Sequence, residues 1–587
     1  MTAPKKKTLT INGMAVTVPD GTSIMDAADT VGIRIPRLCY HPSLSILGAC
    51  RVCLVEVEGQ RNPVASCAVP VENGMKVRTS SPLLRRLRRD VVELILDNHP
   101  KECQTCDRNG NCELQSLSYE LGIRTRLFEG ERKRCEKDLS APSVIRDPEK
   151  CILCGRCVRV CAEIQGVYNL SQQKRGFHID VAPAHGMSMM DSVCVHCGQC
   201  ANVCPTAAIL ENDNTDEVLA ALEDPEKHVV VQTAPAIRAT IGEGFGFKPG
   251  TPVAGKLVSA LRLAGFKRVF DTNIGADLKI MEESHEFLKR LEKGERLPLI
   301  TSCSPGWVNF MEHFYPDLIP FASTCKSPMS MTSALLKTHF AQKMGIDPKK
   351  IYVVAVMPCT AKKFESRRKE HCDASGAPYT DAVLTTRETI WLLKSLGIDF
   401  QDLPDGTFDS PLGVSSGAAD IFGTTGGVME AALRTAYEAL TGKECPNLDF
   451  NQVRGAEGVK EATIAIDGKS INVAVANGLQ NAKTLLDKVV AGEKSYHIIE
   501  IMACPGGCIG GGGQPYPPPG MHLLAPALLK MRAQALYSID HGKKLRKSHE
   551  NPEIQQLYRE FIGKPNSEKA HELLHTHYEP KLPRGIK

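Results

Sequence analysis

The chain carries the run CILCGRCVRVC at residues 151–161 and repeats its cysteine spacing in CVHCGQCANVCP at residues 194–205. Each run reads C-x2-C-x2-C-x3-C, the spacing that binds two [4Fe–4S] clusters, with the fourth cysteine of each run binding the other cluster. Ala162 stands where a proline usually follows the first run, a small departure because this proline shapes a turn and binds no iron. The duplication therefore predicts one cluster on Cys151, Cys154, Cys157 and Cys204, and a second on Cys194, Cys197, Cys200 and Cys161.

A second cysteine group lies near the start of the chain. Residues 8–11 and 15–18 predict two strands joined by Asn12-Gly13, a strong hairpin signal, and a helix follows, capped by Thr22 or Ser23. Hairpin, helix and cysteine-rich loop form the order of a plant-type β-grasp ferredoxin, here with the stretched spacing C-x10-C-x2-C-x13-C. A zinc site or free thiols are the alternative, but zinc sites usually combine two tight cysteine pairs and only one pair is tight here. The group predicts a [2Fe–2S] cluster on Cys39, Cys50, Cys53 and Cys67.

A third group lies between these two, in HPKECQTCDRNGNC at residues 99–112. One imidazole and three thiolates can hold a [4Fe–4S] cluster, and the same ligand types can hold zinc, so ligand chemistry alone leaves both open. The position between two iron–sulfur modules favours a [4Fe–4S] cluster. Its expected ligands are His99, Cys103, Cys106 and Cys112.

Composition limits the remaining possibilities. The chain has 587 residues, 42% hydrophobic and 24% charged, which is typical of a folded protein with several domains. Its 71 Lys and Arg against 67 Asp and Glu give a net charge of only +4, too weak to indicate nucleic acid or an anionic membrane surface as a partner. We expect no membrane span, no secretion signal and a cytoplasmic location, where metal or catalytic use explains a total of 23 cysteines better than disulfides do.

The hydrophobic pattern of the sequence changes at about residue 225, where apolar runs alternate with helical stretches as in α/β domains. Three apolar runs end near cysteine-containing loops: ITSCSPGW at 300–307, VMPCTAKKFE at 356–365 and EIMACPGGCIGGGGQP at 500–515. Such loops can gather beyond the strand ends around one more metal centre. The glycines at 506–513 would let the backbone approach a bulky inorganic group, although the same run fits a flexible loop. Neither this run nor GEGFG at 242–246 is a nucleotide-binding fingerprint.

These three loops resemble the signature segments of [FeFe]-hydrogenases, and the resemblance extends from about residue 228 to the C-terminus. TAPAIRA at 233–239, IFGTTGGVMEAALR at 421–434 and KSHENP at 547–552 also fit that family. The N-terminal part resembles the large iron–sulfur subunit of respiratory complex I. Together they resemble the catalytic subunit of multimeric NADP-reducing or electron-bifurcating hydrogenases.

The expected fold is multidomain, α+β and α/β. Its expected parts are a [2Fe–2S] β-grasp domain (1–80), a His/Cys3 [4Fe–4S] domain (81–140), a bacterial two-[4Fe–4S] ferredoxin domain (141–213), a catalytic α/β iron-hydrogenase domain (225–530) and a short helical tail similar to a small subunit (531–587).

The resemblance implies reversible H2 oxidation and proton reduction at an H-cluster, a [4Fe–4S] cubane joined through a cysteine sulfur to a diiron unit with CO, CN− and a bridging dithiolate. It implies that Cys359, Cys504 and Cys508 bind the cubane, that Cys508 bridges to the diiron unit, and that Lys362 hydrogen-bonds a cyanide. The apolar pocket wall would consist of Met357, Met502, Pro235 and Phe422.

One position departs from the family. Where the family has two adjacent cysteines, a proton donor and then the fourth cubane ligand, this chain has Cys303-Ser304. Either Cys303 takes over ligation and the relay is altered, or the cubane has serine or incomplete ligation. We favour ligation by Cys303, because a neutral hydroxyl is a poorer iron ligand than a thiolate.

The family's proton relay also transfers by motif, to Cys303, Glu283, Glu286 and Ser323. The two glutamates lie at i and i+3 of a helix predicted over 277–293, which places both on one face. Without the resemblance, that face would be interpreted as solvated.

The leading prediction is a cytoplasmic hydrogenase subunit that passes electrons through its clusters to flavin- and NAD(P)-binding subunits, with ferredoxin as a further partner. An H2 sensor and an iron–sulfur assembly factor on the same fold are the alternatives. The first normally adds a regulatory domain and changes the relay cysteine, and the second lacks the long N-terminal cluster region. The cysteines left over are expected to be small buried hydrophobes: Cys135, Cys325, Cys372 and Cys445.

Overall fold

The computed structural model of the chain describes residues 5–125, 127–128, 130–517 and 521–582. The outer ends of the first and last expected domains, and residues 126, 129 and 518–520 inside the second and fourth, lie outside the described residues.

The N-terminal domain is a five-stranded sheet in the order β2-β1-β5-β3-β4 with one helix, and the expected β-grasp is confirmed. Asn12 and Gly13 have positive φ, 49° and 88°, as the predicted hairpin requires. Ser23 caps the first helix by accepting a hydrogen bond from the Asp26 backbone N–H. The elements are β1 Lys6–Ile11, β2 Met14–Pro19, α1 Ile24–Thr30, β3 Leu54–Val57, β4 Val64–Ala65 and β5 Lys76–Arg78.

Short elements support the other cysteine groups. Two small antiparallel ribbons, β6-β9 and β7-β8, flank the duplicated cysteine runs. The elements of this region are α2 Pro82–Asp97, α3 Glu113–Glu120, β6 Val144–Arg146, α4 Arg156–Arg159, β7 Ser171–Gln173, β8 Asp180–Ala182, α5 Gln199–Val203 and β9 Ile209–Glu211.

The C-terminal half contains two four-stranded sheets. The sheet β11-β10-β13-β14 is entirely parallel, and β12-β17-β16-β15 is parallel apart from its β15 edge. The strands are β10 His228–Thr233, β11 Arg268–Asp271, β12 Leu299–Ile300, β13 Ile351–Met357, β14 Ala382–Thr385, β15 Val459–Ile466, β16 Lys469–Asn477 and β17 Ile498–Met502. The helices are α6 Thr215–Glu223, α7 Ala254–Leu263, α8 Asn273–Lys293, α9 Pro305–Phe314, α10 Pro328–Leu335, α11 Ala341–Met344, α12 Ala361–Glu365, α13 Thr386–Ser395, α14 Gly417–Asp420, α15 Gly427–Thr441, α16 Leu479–Val490, α17 Pro526–Gly542, α18 Pro552–Leu557 and α19 Glu568–Leu574.

Two helices bear on the expected domain limits. Helix α6 lies in the gap left between the expected third and fourth domains, and its Val218 and Ala221 belong to the core around β10. Helix α17 begins at Pro526 and runs through the expected boundary at 530/531, because Pro at the first helical position starts it earlier.

Helix α8 is the central helix of the catalytic half. It contacts α10 on one side and α15 on another, so most of its residues are buried, polar ones included. Within the described ranges, no helix is long and apolar enough to cross a membrane.

Candidate active site

Four strand ends meet at one buried cavity. The loops that follow β10, β12, β13 and β17 surround it, and its lining is mainly apolar, as is usual for a ligand pocket. Every residue that the resemblance assigns to the pocket, apart from the relay residues farther out, lines this cavity: Pro235, Cys303, Met357, Cys359, Lys362, Phe422, Met502, Cys504 and Cys508.

The cysteines of this cavity form a donor set that suits a metal centre. Burial raises the pKa of Cys504 to about 12, and burial together with the neighbouring thiols Cys359, Cys303 and Cys504 raises the pKa of Cys508 still further. Thiols with such pKa values hold their protons at neutral pH, and a bound cation is what converts them to thiolates. The residues present therefore fit an iron–sulfur centre.

Lys362 supplies an unused donor at the same place. It is buried, and its Nζ forms an ion pair with Glu365 Oε2 at 2.6 Å, which leaves N–H groups of the ammonium over. An ammonium held beside the cavity with unused N–H groups suits an anionic ligand.

Cys303 and Ser304 face different neighbours. Cys303 packs against the apolar wall that includes Phe422 and Met502, and its pKa is raised to about 12 by burial. Ser304 occupies the N-cap position of α9 without a side-chain hydrogen bond to that helix, and its Oγ instead accepts a hydrogen bond of 3.2 Å from the backbone N–H of Ala503, the residue before Cys504. Ser304 thus contacts the loop that contains Cys504, whereas Cys303 packs on the wall and also lies near the thiol of Cys508.

The cavity touches the duplicated cysteine region directly. A Cβ at Gly512 would come within 2.1 Å of the Cys197 carbonyl oxygen, so only glycine permits this approach. Across the contact, Gln199 donates to the Gly510 carbonyl at 2.9 Å and Thr360 donates to the His196 carbonyl at 2.7 Å. This close contact joins the two regions without an intervening side chain.

The structure brings the cysteines of the duplicated runs together in two separate cavities. One cavity of about 420 Å³ is lined by the four cysteines of the first predicted set: Cys151, Cys154, Cys157 and Cys204. Another of about 370 Å³ is lined by the second set: Cys161, Cys194, Cys197 and Cys200. Each set therefore takes its fourth cysteine from the other run.

The first cysteine group contains two close pairs. Cys53 Sγ lies 3.5 Å from Cys67 Sγ, and the backbone N–H of Cys39 lies 3.4 Å from Cys50 Sγ. Two thiols for each of two metal ions is the arrangement that a [2Fe–2S] cluster needs.

Arg159 connects this group to the duplicated region. Its guanidinium donates to the Cys39 carbonyl at 2.6 Å and to the Cys154 carbonyl at 3.4 Å. The spacing of the cysteines does not reveal this arginine.

The third group, residues 99–112, precedes α3 and rests on the same region. The backbone N–H of Glu113 donates to the Pro205 carbonyl at 3.0 Å, and Arg108 donates to the Cys204 carbonyl at 3.3 Å. Burial raises the pKa of Cys112, while Cys103 is exposed. The first and the third cysteine groups therefore both contact the cavity that contains Cys154.

The four predicted relay residues lie along α8 and the loops beside it. Glu283 is 1% exposed, against the solvated face that its spacing alone favours, because α8 is enclosed on several sides. Ser323 donates to Glu286 Oε2 at 3.1 Å, and Arg290 lies 2.5 Å from Glu286 Oε1. The second oxygen of Glu283 has no hydrogen bond to any described group.

Lys279 also belongs to this relay region, although no motif of the sequence indicates it. Its Nζ lies 2.9 Å from Glu283 Oε1 and 3.3 Å from Ser302 Oγ, with both members of the ion pair buried. Its position four residues before Glu283 on a predicted helix was the available signal.

Comparisons with protein families match nearly every part of the chain. "Iron only hydrogenase large subunit, C-terminal domain" matches residues 227–512, and "Iron hydrogenase small subunit" matches residues 526–581. A "2Fe-2S iron-sulfur cluster binding domain" matches 5–82, the "NADH-ubiquinone oxidoreductase-G iron-sulfur binding region" matches 88–126, and a "4Fe-4S dicluster domain" matches 150–208.

Individual relatives agree with these matches. The NADP-reducing hydrogenase subunit HndD of Solidesulfovibrio fructosivorans is 52% identical over 97% of this chain and 98% of its own. Iron hydrogenase 1 of Clostridium pasteurianum is 39% identical over 98% of this chain and 100% of its own length. A solved apo [FeFe]-hydrogenase from Chlamydomonas reinhardtii is 46% identical, aligns with a TM-score of 0.56, and covers 63% of this chain and 99% of its own. The chain therefore belongs to the iron-only, or [FeFe], hydrogenase family, with H2 as its substrate and [2Fe–2S], [4Fe–4S] and H-cluster centres as its cofactors.

Proposed function

We propose that the chain is the catalytic subunit of a multimeric hydrogenase and that the cavity between the two sheets holds the H-cluster. The convergence of Cys359, Cys504 and Cys508 with Lys362 in one buried cavity carries this proposal. When bound, the H-cluster supplies the redox-active iron at which H2 is split into a proton and a hydride equivalent. Three thiolates would hold the cubane, with Cys508 shared by the diiron unit, and Lys362 would donate to a cyanide.

We further propose that Ser304 closes the fourth corner of the cubane and that Cys303 keeps the proton-donor position. This reverses the preference for Cys303 as a ligand that we drew from thiolate chemistry. The support is geometric, because Ser304 is hydrogen-bonded beside Cys504 whereas Cys303 packs on the apolar wall. A serine oxygen beside three thiolates is a weaker site for iron than a fourth thiolate, so we expect a cubane that loses iron more readily.

The proton relay would run from Cys303 to Glu283, Ser323 and Glu286. The Cys303 thiol carries its proton at neutral pH, and Ser323 already donates to Glu286. Lys279 holds one oxygen of Glu283 and leaves the other available to accept a proton. The apolar wall excludes water, so protons would have to use this route.

The accessory clusters would form a branched electron route through the expected domains 1–80, 81–140 and 141–213 to the catalytic domain 225–530, while the tail 531–587 would hold no cluster. The [2Fe–2S] site and the His99 site would both pass electrons to the cluster on Cys151, Cys154, Cys157 and Cys204, because both segments contact it. The neighbouring cluster, on Cys161, Cys194, Cys197 and Cys200, would complete the route to the catalytic cavity across the Gly512 contact.

The electrons would leave to partner subunits that bind flavin and NAD(P), in the cytoplasm, with ferredoxin as a second partner. Two features support this proposal: the relative 52% identical to this chain is named as an NADP-reducing hydrogenase subunit, and the sequence contains no nucleotide fingerprint.

Purified alone under H2, the loaded chain is expected to reduce an artificial one-electron carrier rapidly and NADP at no more than background rate. Addition of its flavin-containing partner subunit should then confer NADP reduction. Carrier and NADP reduction are followed by absorbance in the same preparation, so that carrier turnover shows the enzyme to be active. NADP reduction by the single chain at the carrier rate would contradict the assignment of the nucleotide site to a partner.

A further inference from the structure

The C-terminal tail pairs with the chain beside the relay through an isolated antiparallel β-bridge. The backbone N–H of Lys326 donates to the Leu574 carbonyl at 2.8 Å, and that of Thr576 donates to the Thr324 carbonyl at 2.7 Å. This pairing sets His575 opposite Cys325, one residue beyond Thr324. The histidine side chain is only 4% exposed, so the tail carries a buried imidazole to the outer end of the relay.

The imidazole of His575 is surrounded by groups that exchange protons. Its Nδ1 lies 2.8 Å from Thr324 Oγ1, and its Nε2 lies 3.0 Å from Glu282 Oε2. A ring nitrogen of His575, a carboxylate oxygen of Glu286 and Cys325 Sγ all lie within 4.8 Å of one another. This distance is within reach of one hop through a hydroxyl or a water molecule.

A second histidine continues from His575 to the surface. The ring centroids of His571 and His575 are 4.3 Å apart, and His571 is exposed at the end of α19. Burial and the neighbouring imidazole lower the pKa of His571, which keeps it neutral and able to accept a proton. The buried imidazole of His575 and the exposed imidazole of His571 thus form a spatial series from Glu286 to solvent.

Arg290, which is also a neighbour of Glu286, cannot carry a proton away. Arg290 lies 2.5 Å from Glu286 Oε1, but a guanidinium has no acceptor and does not lose its proton in proteins. Arg290 also donates to the carbonyls of Phe321 and Ala322, so it is held in place. A proton that reaches Glu286 needs an acceptor on its other side, where the tail lies.

We propose that His575 and His571 of the tail form the outer branch of the proton relay. During H2 oxidation, Glu286 would give its proton to a ring nitrogen of His575, His575 would pass a proton to His571, and His571 would release it to water. No electron moves in these steps, and each group returns to its starting protonation state; during H2 evolution the protons move in reverse. The proposal rests on the proposed relay through Glu286 and extends it to the solvent.

The test replaces His575 by glutamine in the full cluster-loaded chain, because glutamine can still hydrogen-bond Thr324 and Glu282 but cannot carry a proton. We expect H2 oxidation to fall about tenfold with unchanged iron content, the residual rate to rise with buffer concentration, and added imidazole to restore part of the loss. Groups that face His575 and also shape the pH profile are Glu282, Glu286, Cys325, Tyr558 and His571. His577→Gln is the matched control, an exposed histidine two residues along the tail that should leave turnover and its buffer dependence unchanged.

If His575→Gln has the same turnover and buffer dependence as the parent enzyme, the proposed histidine branch is wrong. If that variant loses iron, exposed His571→Gln decides instead, with a severalfold, imidazole-rescued loss expected and no change contradicting the proposal. Glu286→Gln distinguishes failure of the histidine branch from failure of the relay through Glu286. If Glu286→Gln is inactive while His575→Gln is normal, only the branch fails; if Glu286→Gln is fully active, the relay itself fails.

Discussion

Cys303→Ala is expected to lower both H2 evolution and H2 oxidation by about 10²- to 10⁴-fold, the range associated with loss of a positioned acid–base group. The thiol lies on the apolar wall, and because its pKa is about 12 it holds a proton throughout the physiological range. Alanine keeps the apolar contact and removes the proton carrier. Activity with a saturating artificial carrier, together with iron content, measures the effect, and iron content should stay at the parent level.

Loss of cubane iron in Cys303→Ala would contradict this role and make Cys303 the fourth ligand. Ser304→Cys tests the same point from the other side. It is expected to retain activity and to slow iron loss to a chelator, because a fourth thiolate would join Cys359, Cys504 and Cys508. If Ser304→Cys loses both activity and cluster, a thiolate is not wanted at that corner.

Glu283→Gln is the second large effect, an expected loss of about 10²-fold or more in turnover with iron content intact. Glutamine keeps the side-chain volume and can still accept a hydrogen bond from Lys279, but it cannot take up a proton. The buried ion pair is also broken, and because an unpaired buried charge costs a few kcal/mol, we expect a lower unfolding temperature as well.

Glu292→Gln provides the control for Glu283→Gln. It makes the same substitution on the same helix, at an exposed position nine residues further along, and should leave turnover and stability unchanged. Parent-level H2 evolution by Glu283→Gln would exclude Glu283 from the relay.

The grouping of the cysteines in the duplicated runs was predictable from the sequence. Iron–sulfur clusters are held mainly by cysteine thiolates at a spacing that the loop can close, so the C-x2-C-x2-C-x3-C runs indicate which thiols share a cavity. The hairpin at Asn12-Gly13 and the end of α8 at Lys293 were predictable, because turn and C-cap signals are local. The start of α8 was not, since the helix begins at Asn273, four residues before the predicted start, without a side-chain cap.

Burial and long-range contacts were harder to predict from the sequence. The glutamates of α8 read as a solvated face, because neither the enclosure of that helix by α10 and α15 nor the Lys279 partner follows from a face pattern. The pairing of His575 with Cys325 joins residues 250 positions apart, and no local signal indicates it. The same holds for Ser304, whose place beside Ala503 depends on the meeting of two loops.

The infrared spectrum of the anaerobic chain, produced together with the machinery that inserts the diiron unit, tests the central claim most directly. Metal-bound CO and CN− absorb where protein does not, so a diiron unit in the cavity between the two sheets is visible without a kinetic assay. We predict CO and CN− bands in the parent chain that shift when H2 is added, and their loss in Cys508→Ala, which removes the shared ligand. A fully iron-loaded chain without these bands, or bands that persist unchanged in Cys508→Ala, would contradict the assignment of this cavity to the H-cluster.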